Sequence, residues 1–212
     1  MSLKLYFLRN GETVYSQIGA YCGERDPELT VEGTQMAKAF ADAHRSIAWA
    51  AVYVSPMKRA VATAKPLCDA LGLRMEMRDG LKEMRYGKWE DKSVEAVKQH
   101  YWDDYIQWLT EPAWNGPTGG ETSVEVASRA SLVIGEIQKN YATGNVLVVS
   151  HKATIRIILC GLLGIDLGRY RDRIEMLAGS VSVIKFDRHG PLLQVLGDRA
   201  YMGEKLRARL GT

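Results

Sequence analysis

The chain of 212 residues, 46% hydrophobic and 25% charged, is long enough for one well-buried core and falls within the range of a single α/β domain. Its net charge of +3 arises from Lys and Arg scattered among 25 acidic residues, so no basic stripe argues for nucleic acid or a membrane surface. Cys22, Cys68 and Cys160 are odd in number and widely spaced, which fits neither a disulfide framework nor a CxxC-type metal site and reads as reduced thiols in a cytoplasmic protein. The apolar run before Arg9 is too brief for a signal peptide and no segment approaches transmembrane length, so a soluble intracellular protein is expected.

In chain order, Leu3 to Leu8 reads as the first strand and Thr30 as the cap of a helix running to about Ala43. A second strand, Ala50 to Val54, leads into Ser55-Pro56, the expected cap and first-turn proline of a helix to about Leu71. Residues Ser93 to Leu109 place Val94, Val97, Tyr101, Tyr105 and Trp108 at helical spacing, and Ser123 opens a helix ending near Asn140-Tyr141. Pro112, Gly116, Pro117, Gly119 and Gly120 break the chain between those two helices. Val146-Leu147-Val148-Val149 is continuously apolar, as suits a strand covered on both faces, and Ser180 to Phe186 is the last expected strand. The alternation implies a three-layer αβα sandwich with a mostly parallel central sheet, in one domain over 1–212, with 88–122 as a candidate cap.

Four strand or loop ends carry the residues suited to chemistry. In Tyr6-Phe7-Leu8-Arg9-Asn10-Gly11-Glu12-Thr13, Arg9 sits where a buried strand ends, the place at which open α/β sheets bind ligands, and a guanidinium grips two phosphate oxygens at once. Taken alone, Arg9 would more readily form a surface ion pair with Glu12. In Val54-Ser55-Pro56-Met57-Lys58-Arg59-Ala60-Val61-Ala62-Thr63-Ala64, Arg59 falls in about the first turn of a helix, whose positive end also favours an anion. By itself it is an ordinary solvated helix residue. The third segment is Leu81-Lys82-Glu83-Met84-Arg85-Tyr86-Gly87-Lys88-Trp89-Glu90, where Glu83 in isolation is an exposed loop carboxylate. The fourth, Val146 to Arg156, puts His151 at the end of the most apolar strand, where imidazolium can hydrogen-bond a phosphoryl oxygen and stabilise developing charge.

Together, in this order, the four segments resemble the histidine phosphatase superfamily of phosphoglycerate mutases and related phosphatases, and Leu162-Leu163-Gly164-Ile165 and the last strand continue the resemblance over most of the chain. The resemblance implies that Arg9 and Arg59 are phosphate clamps, that Glu83 protonates the leaving alkoxide and then activates water, and that His151 is the second active-site histidine. Ser16 and Gly23 fall near family positions that contact phosphate by hydroxyl or backbone N–H. The family usually has small residues after the second histidine, whereas this chain has Lys152, counted here with the substrate-binding groups.

One departure dominates. The family places its phosphate-accepting histidine where this chain has Asn10. An amide nitrogen lone pair is delocalised, so Asn10 can hydrogen-bond a phosphoryl oxygen but cannot attack phosphorus. Asn10 is either an introduced substitution that traps substrate or native to a phospholigand-binding pseudoenzyme; the survival of Arg9, Arg59, Glu83 and His151 favours the first.

The short span from Glu83 to His151, and the dispersal of Arg85, Lys88, Lys92, Lys98, Arg129 and Lys139, favour a phosphatase of small phosphate monoesters over a mutase that retains a bisphosphate. Phosphoserine and α-ribazole phosphate phosphatases share this plan. The aromatic segment Tyr101 to Trp108, with Trp114 and Thr118 to Thr122, is either the cap over the pocket or a helix packed on the core. No cofactor or metal ion is implied, and the expected partner is a small phosphorylated metabolite, with the oligomeric state open and a homodimer compatible. His44, His100 and His189 match no motif and are expected at the surface.

Overall fold

Successive residues of an extended chain point to opposite sides, and along β1 (Leu3–Arg9) both sides are apolar: Leu3, Leu5 and Phe7 enter one core while Leu8 and Tyr6 face another. A strand with that pattern is stable only between two layers of helices. The computed structural model describes residues 2–209 and 211; Met1, Leu210 and Thr212, at the ends of the expected domain, lie outside them.

After β1 come α1 (Val14–Ile18), α2 (Val31–His44), β2 (Trp49–Val54), α3 (Lys58–Leu71), β3 (Met75–Met77), α4 (Val94–His100), α5 (Trp102–Thr110) and α6 (Ser123–Asn140). Then follow β4 (Gly144–Ser150), α7 (Lys152–Leu163), α8 (Tyr170–Arg173), β5 (Val181–Asp187), β6 (Gly190–Asp198) and α9 (Glu204–Arg207). The sheet order is β3-β2-β4-β1-β5-β6, and β3, β2, β4 and β1 run parallel. β5 pairs antiparallel with β1 and β6, so it alone runs against the rest. Residues of α6 and α7 close the core around Phe7, Val146 and Val148, and those of α2 and α3 close the core around Leu8, Leu147 and Val149. The architecture is the expected three-layer αβα sandwich with a mostly parallel sheet.

Several local features differ from the sequence-based expectations. Ser55 does not cap α3, whose N-cap is Met57 without a side-chain bond; the Ser55 hydroxyl instead lies 2.7 Å from His151 Nε2. The expected helix over Ser93 to Leu109 is two helices, broken at Tyr101, whose φ of −138° leaves the helical region. The break lets Val97 of one helix and Tyr105 and Trp108 of the other pack on the fully buried Trp89. His44 is half-buried rather than exposed, stacked on Phe40 with its Nδ1 2.9 Å from the Phe40 carbonyl oxygen. The two sheet edges, β3 and β6, and the single-turn α1 were not foreseen: β3 has three residues, and Pro191 lies in β6, where only an edge strand accommodates it.

Candidate active site

Parallel pairing brings the chemistry-bearing residues together. Arg9 is in register with Ser150, and both Leu8 and Val54 are in register with Val149, so β1, β2 and β4 end side by side. Beyond those ends the chain continues the pairing: Asn10 N donates to Ser150 O at 2.9 Å and Ser55 N to Val149 O at 2.9 Å. Asn10, Ser55 and His151 therefore leave adjacent strands at one level. Gly11 next to them is sterically required, since a Cβ there would lie 2.5 Å from the Gly33 carbonyl oxygen. Its N–H donates to Thr63 Oγ1 at 3.0 Å, tying the turn after β1 to α3.

His151 is buried, with Nε2 facing Ser55 Oγ and Nδ1 facing two groups, Asn10 Oδ1 at 3.0 Å and the Arg59 Nε–H at 3.2 Å. Burial, then the positive charges of Arg59, Arg129 and Arg9, holds the imidazole pKa well below its ordinary value, so the ring is neutral at physiological pH. A neutral Nδ1 can donate to Asn10 or accept from Arg59, but not both. The Asn10 amide cannot relieve this by turning over without giving up its Nδ2 bond to the Gly11 carbonyl at 2.8 Å.

The two expected clamps are both buried at this level. Arg9 donates from NH1 to the Met176 and Gly211 carbonyls at 2.5 and 2.8 Å. Burial lowers its pKa to about 10 against the opposing pull of Glu83, which leaves it cationic at neutral pH. Its ion pair with Glu12, the alternative raised by the sequence, does not form: Glu12 is held by Arg209 at 2.8 and 2.9 Å and by Thr30 at 2.9 Å. Arg59 donates to the Arg25 and Gly23 carbonyls at 2.6 and 3.1 Å, fixing its guanidinium beside His151.

Glu83 reaches the N-terminus of α7. Its Oε1 accepts from Met84 N and Thr154 N at 2.9 and 3.1 Å, with the Thr154 hydroxyl also 3.1 Å away, whereas among the described residues Oε2 accepts from Ala153 N alone, at 3.1 Å. Oε2 is thus the less committed oxygen and the one suited to carry a transferable proton. The loop bearing Glu83 is braced by Arg129, which donates to the carbonyls of Gly80, Lys82 and Glu83 and pairs with Glu121. Glu121 in turn accepts from Arg85 N at 2.9 Å.

These groups line a cleft of about 530 Å³ shared by Arg9, Asn10, Ser16, Arg59, Glu83 and Lys152. His151 lies outside the lining and contacts two residues of it, Asn10 and Arg59. Ser16 Oγ accepts from Thr13 N at 2.9 Å, closing a capping box at α1, and its hydroxyl donates to the Thr13 carbonyl at 2.9 Å. Gly23 lies outside the lining, and its N–H is taken by the Glu90 carboxylate at 3.0 Å. Val94, Glu95 and Trp108 of segment 88–122 also line the cleft. Among the described residues no group of three His, Cys, Asp or Glu side chains is placed to hold a metal ion, and no helix is long and apolar enough to cross a membrane.

Sequence reasoning missed four contributors. Ser55 was read as a helix cap, and Arg129 as a dispersed charge. Arg156 and Arg171 also line the cleft; the i, i+4 spacing of Lys152 and Arg156 in a helix was a legible sign that they share a face, whereas Arg171 lies on a separate helix of four residues with no sequence signal.

The sequence profile of the histidine phosphatase superfamily (branch 1) matches residues 5–199. Phosphoserine phosphatase 1 of Hydrogenobacter thermophilus is 30% identical over 202 residues, covering 95% of each chain. The adenosylcobalamin/alpha-ribazole phosphatase of Escherichia coli is 26% identical over 199 residues, covering 93% of this chain and 97% of its own. Among solved structures, a putative alpha-ribazole-5'-P phosphatase from Escherichia coli superposes with a TM-score of 0.86 at 25% identity, over 94% of this chain and 98% of that one. A profile spanning nearly the whole chain, with relatives named as phosphatases and a shared fold, leads to one conclusion: the chain belongs to the histidine phosphatase superfamily, branch 1.

Proposed function

We propose that this chain binds small phosphate monoesters in the cleft at the ends of β1, β2 and β4, and that the scaffold hydrolyses them without a metal ion when histidine stands at position 10. The observation that carries the reading is the setting of Asn10. It faces His151 Nδ1 at 3.0 Å, in a cleft with Arg9, Arg59 and Glu83, yet an amide cannot accept a phosphoryl group. The cationic groups Arg9 and Arg59, with His151, supply the charge stabilisation that a metal ion would otherwise provide. Segment 88–122 serves as a cap, contributing Trp108 to the cleft wall. The unpaired thiols Cys22, Cys68 and Cys160 suit a reducing, cytoplasmic setting.

In the histidine form the imidazole nitrogen bonds phosphorus while the ester P–O bond breaks and Glu83 gives its proton to the leaving alkoxide. Water then attacks the phosphohistidine, returning a proton to Glu83 and releasing inorganic phosphate. The test is phosphate release, with rapid-quench detection of a phosphoenzyme, by the Asn10 chain and by Asn10→His. Binding without turnover in the first, and turnover through an acid-labile, base-stable phosphoenzyme in the second, is the expected result. Full-rate turnover by the Asn10 chain would overturn the nucleophile assignment. Tight binding with no rescue would make the protein a non-catalytic phospholigand binder, and bisphosphate-dependent interconversion of phosphoglycerates exceeding phosphate release would make it a mutase.

A further inference from the structure

The cleft holds more positive charge than one phosphate monoester requires. Beside the clamps at the strand ends, a second set of cations lines the adjoining helical wall: Lys152 and Arg156, four residues apart on α7, and Arg171 on α8. Like charges at that spacing on one helix face destabilise the helix unless something neutralises them. None of the three is within ion-pair distance of a carboxylate among the described residues. The acids that line the same cleft are engaged elsewhere: Glu83 accepts the α7 amides, Asp172 pairs with Arg169 at 3.6 Å, and Glu95 bonds its own helix start at Ser93.

Two further details point to a ligand group. The Nε of Arg156 is buried with no hydrogen-bond partner among the described residues, an arrangement that costs free energy. The Arg171 guanidinium lies 3.6 Å from the centre of the Trp108 ring, so stacking fixes its plane while its N–H edge remains able to donate. Mutual repulsion is also evident, since burial, then Arg9 and Arg156, drives the Lys152 ammonium down to about 7.

We propose that Lys152, Arg156 and Arg171 form a second anion subsite, so that the ligand is a phosphate monoester bearing a second acidic group, a carboxylate or another phosphate, within a few bonds of the first. The inference rests on the phosphate-monoester reading above and narrows it to doubly acidic substrates.

The test is isothermal titration of the Asn10 chain with two matched pairs and with inorganic phosphate. Phosphoserine against phosphoethanolamine isolates a carboxylate, and propane-1,3-diol bisphosphate against its monophosphate isolates a second phosphate. One pair should show a preference of about tenfold or more for the doubly acidic member, the size of one charge-assisted contact. That preference should shrink to within about threefold in Arg156→Met and in Arg171→Met; continued binding of inorganic phosphate by each variant reports a folded pocket, and either variant suffices if the other does not fold. Equal affinities within both pairs, with phosphate still bound, would overturn the second subsite and leave the monoester reading standing. A preference that survives both substitutions would overturn the residue assignment. Failure of the Asn10 chain to bind any of the five compounds would overturn the monoester reading and this inference with it.

Discussion

At the scale of single residues, burial keeps two basic groups of the site below their ordinary charge. His151 is kept neutral while facing both a donor and an acceptor at one nitrogen, and Lys152 is kept near half-charged at neutral pH. A dianion entering the cleft favours the protonated form of each, so binding is coupled to proton uptake. At pH 8, where inorganic phosphate is already mostly dianionic, titration in buffers of different ionisation enthalpy should show uptake of a substantial fraction of a proton, and Lys152→Met should lose most of it. No buffer dependence in the unaltered chain would mean that Lys152 does not sense the anion. Arg59→Ala should weaken phosphate binding by about 10- to 100-fold in the same titration, because it removes a charge-assisted donor worth about 1.5 to 3 kcal/mol. Affinity unchanged by that substitution would place the phosphoryl site elsewhere.

At the scale of elements, the position of Glu83 is set from a distance by α6. Arg129 on that helix spans from Glu121 to three carbonyls of the segment ending at Glu83, so it acts as a positioning residue for the proposed general acid. Arg129→Ala should lower stability to urea by about 2 to 3 kcal/mol, because it leaves Glu121 and those carbonyls without their shared donor. In an Asn10→His background it should reduce kcat more than it raises KM. An effect on stability alone would make the brace purely structural. Elements of this kind explain which parts of the protein were legible in its sequence. The strands β1, β2, β4 and β5 and the helices α2 and α6 declare themselves through apolar periodicity and caps such as Thr30. Ser55 was misread because a serine before a helix has the same local signature whether it caps the helix or meets a histidine 96 positions away. The edge strands were hidden by brevity and by Pro191; Arg129 and Arg171 carry no local mark because their roles exist only once α6 and α8 are docked, whereas Arg156 is marked by its spacing from Lys152.

At the scale of the whole molecule, the burial of titratable groups makes folding stability depend on pH, group by group. His151 has a folded pKa below its unfolded value of about 6.5, and half-buried His44 is shifted the same way by burial. The unfolded chain then binds more protons, so stability falls as pH drops below about 6.5. Glu12 adds to this at lower pH: burial raises its pKa, but the Arg209, Thr30 and Gln17 hydrogen bonds outweigh it, and the net depression gives stability that is lost as pH falls below about 4.3. Lys152 acts on the alkaline side. Its folded pKa of about 7 lies below the unfolded value of about 10.4, so both states are charged below pH 7 and the folded state bears the full cost there. Between those two values only the unfolded chain holds the proton, and stability rises with pH. The thiols of Cys22, Cys68 and Cys160, raised by burial, oppose this trend above the unfolded thiol value of about 8.5, so urea unfolding of the free protein at intervals from pH 5 to 8 should show stability still increasing above pH 7. Lys152→Met should flatten the alkaline part of that slope, and saturating phosphate should flatten it as well by restoring the charge. A slope above pH 7 that neither the substitution nor the anion alters would show that the cationic wall of the cleft is not strained in the free protein.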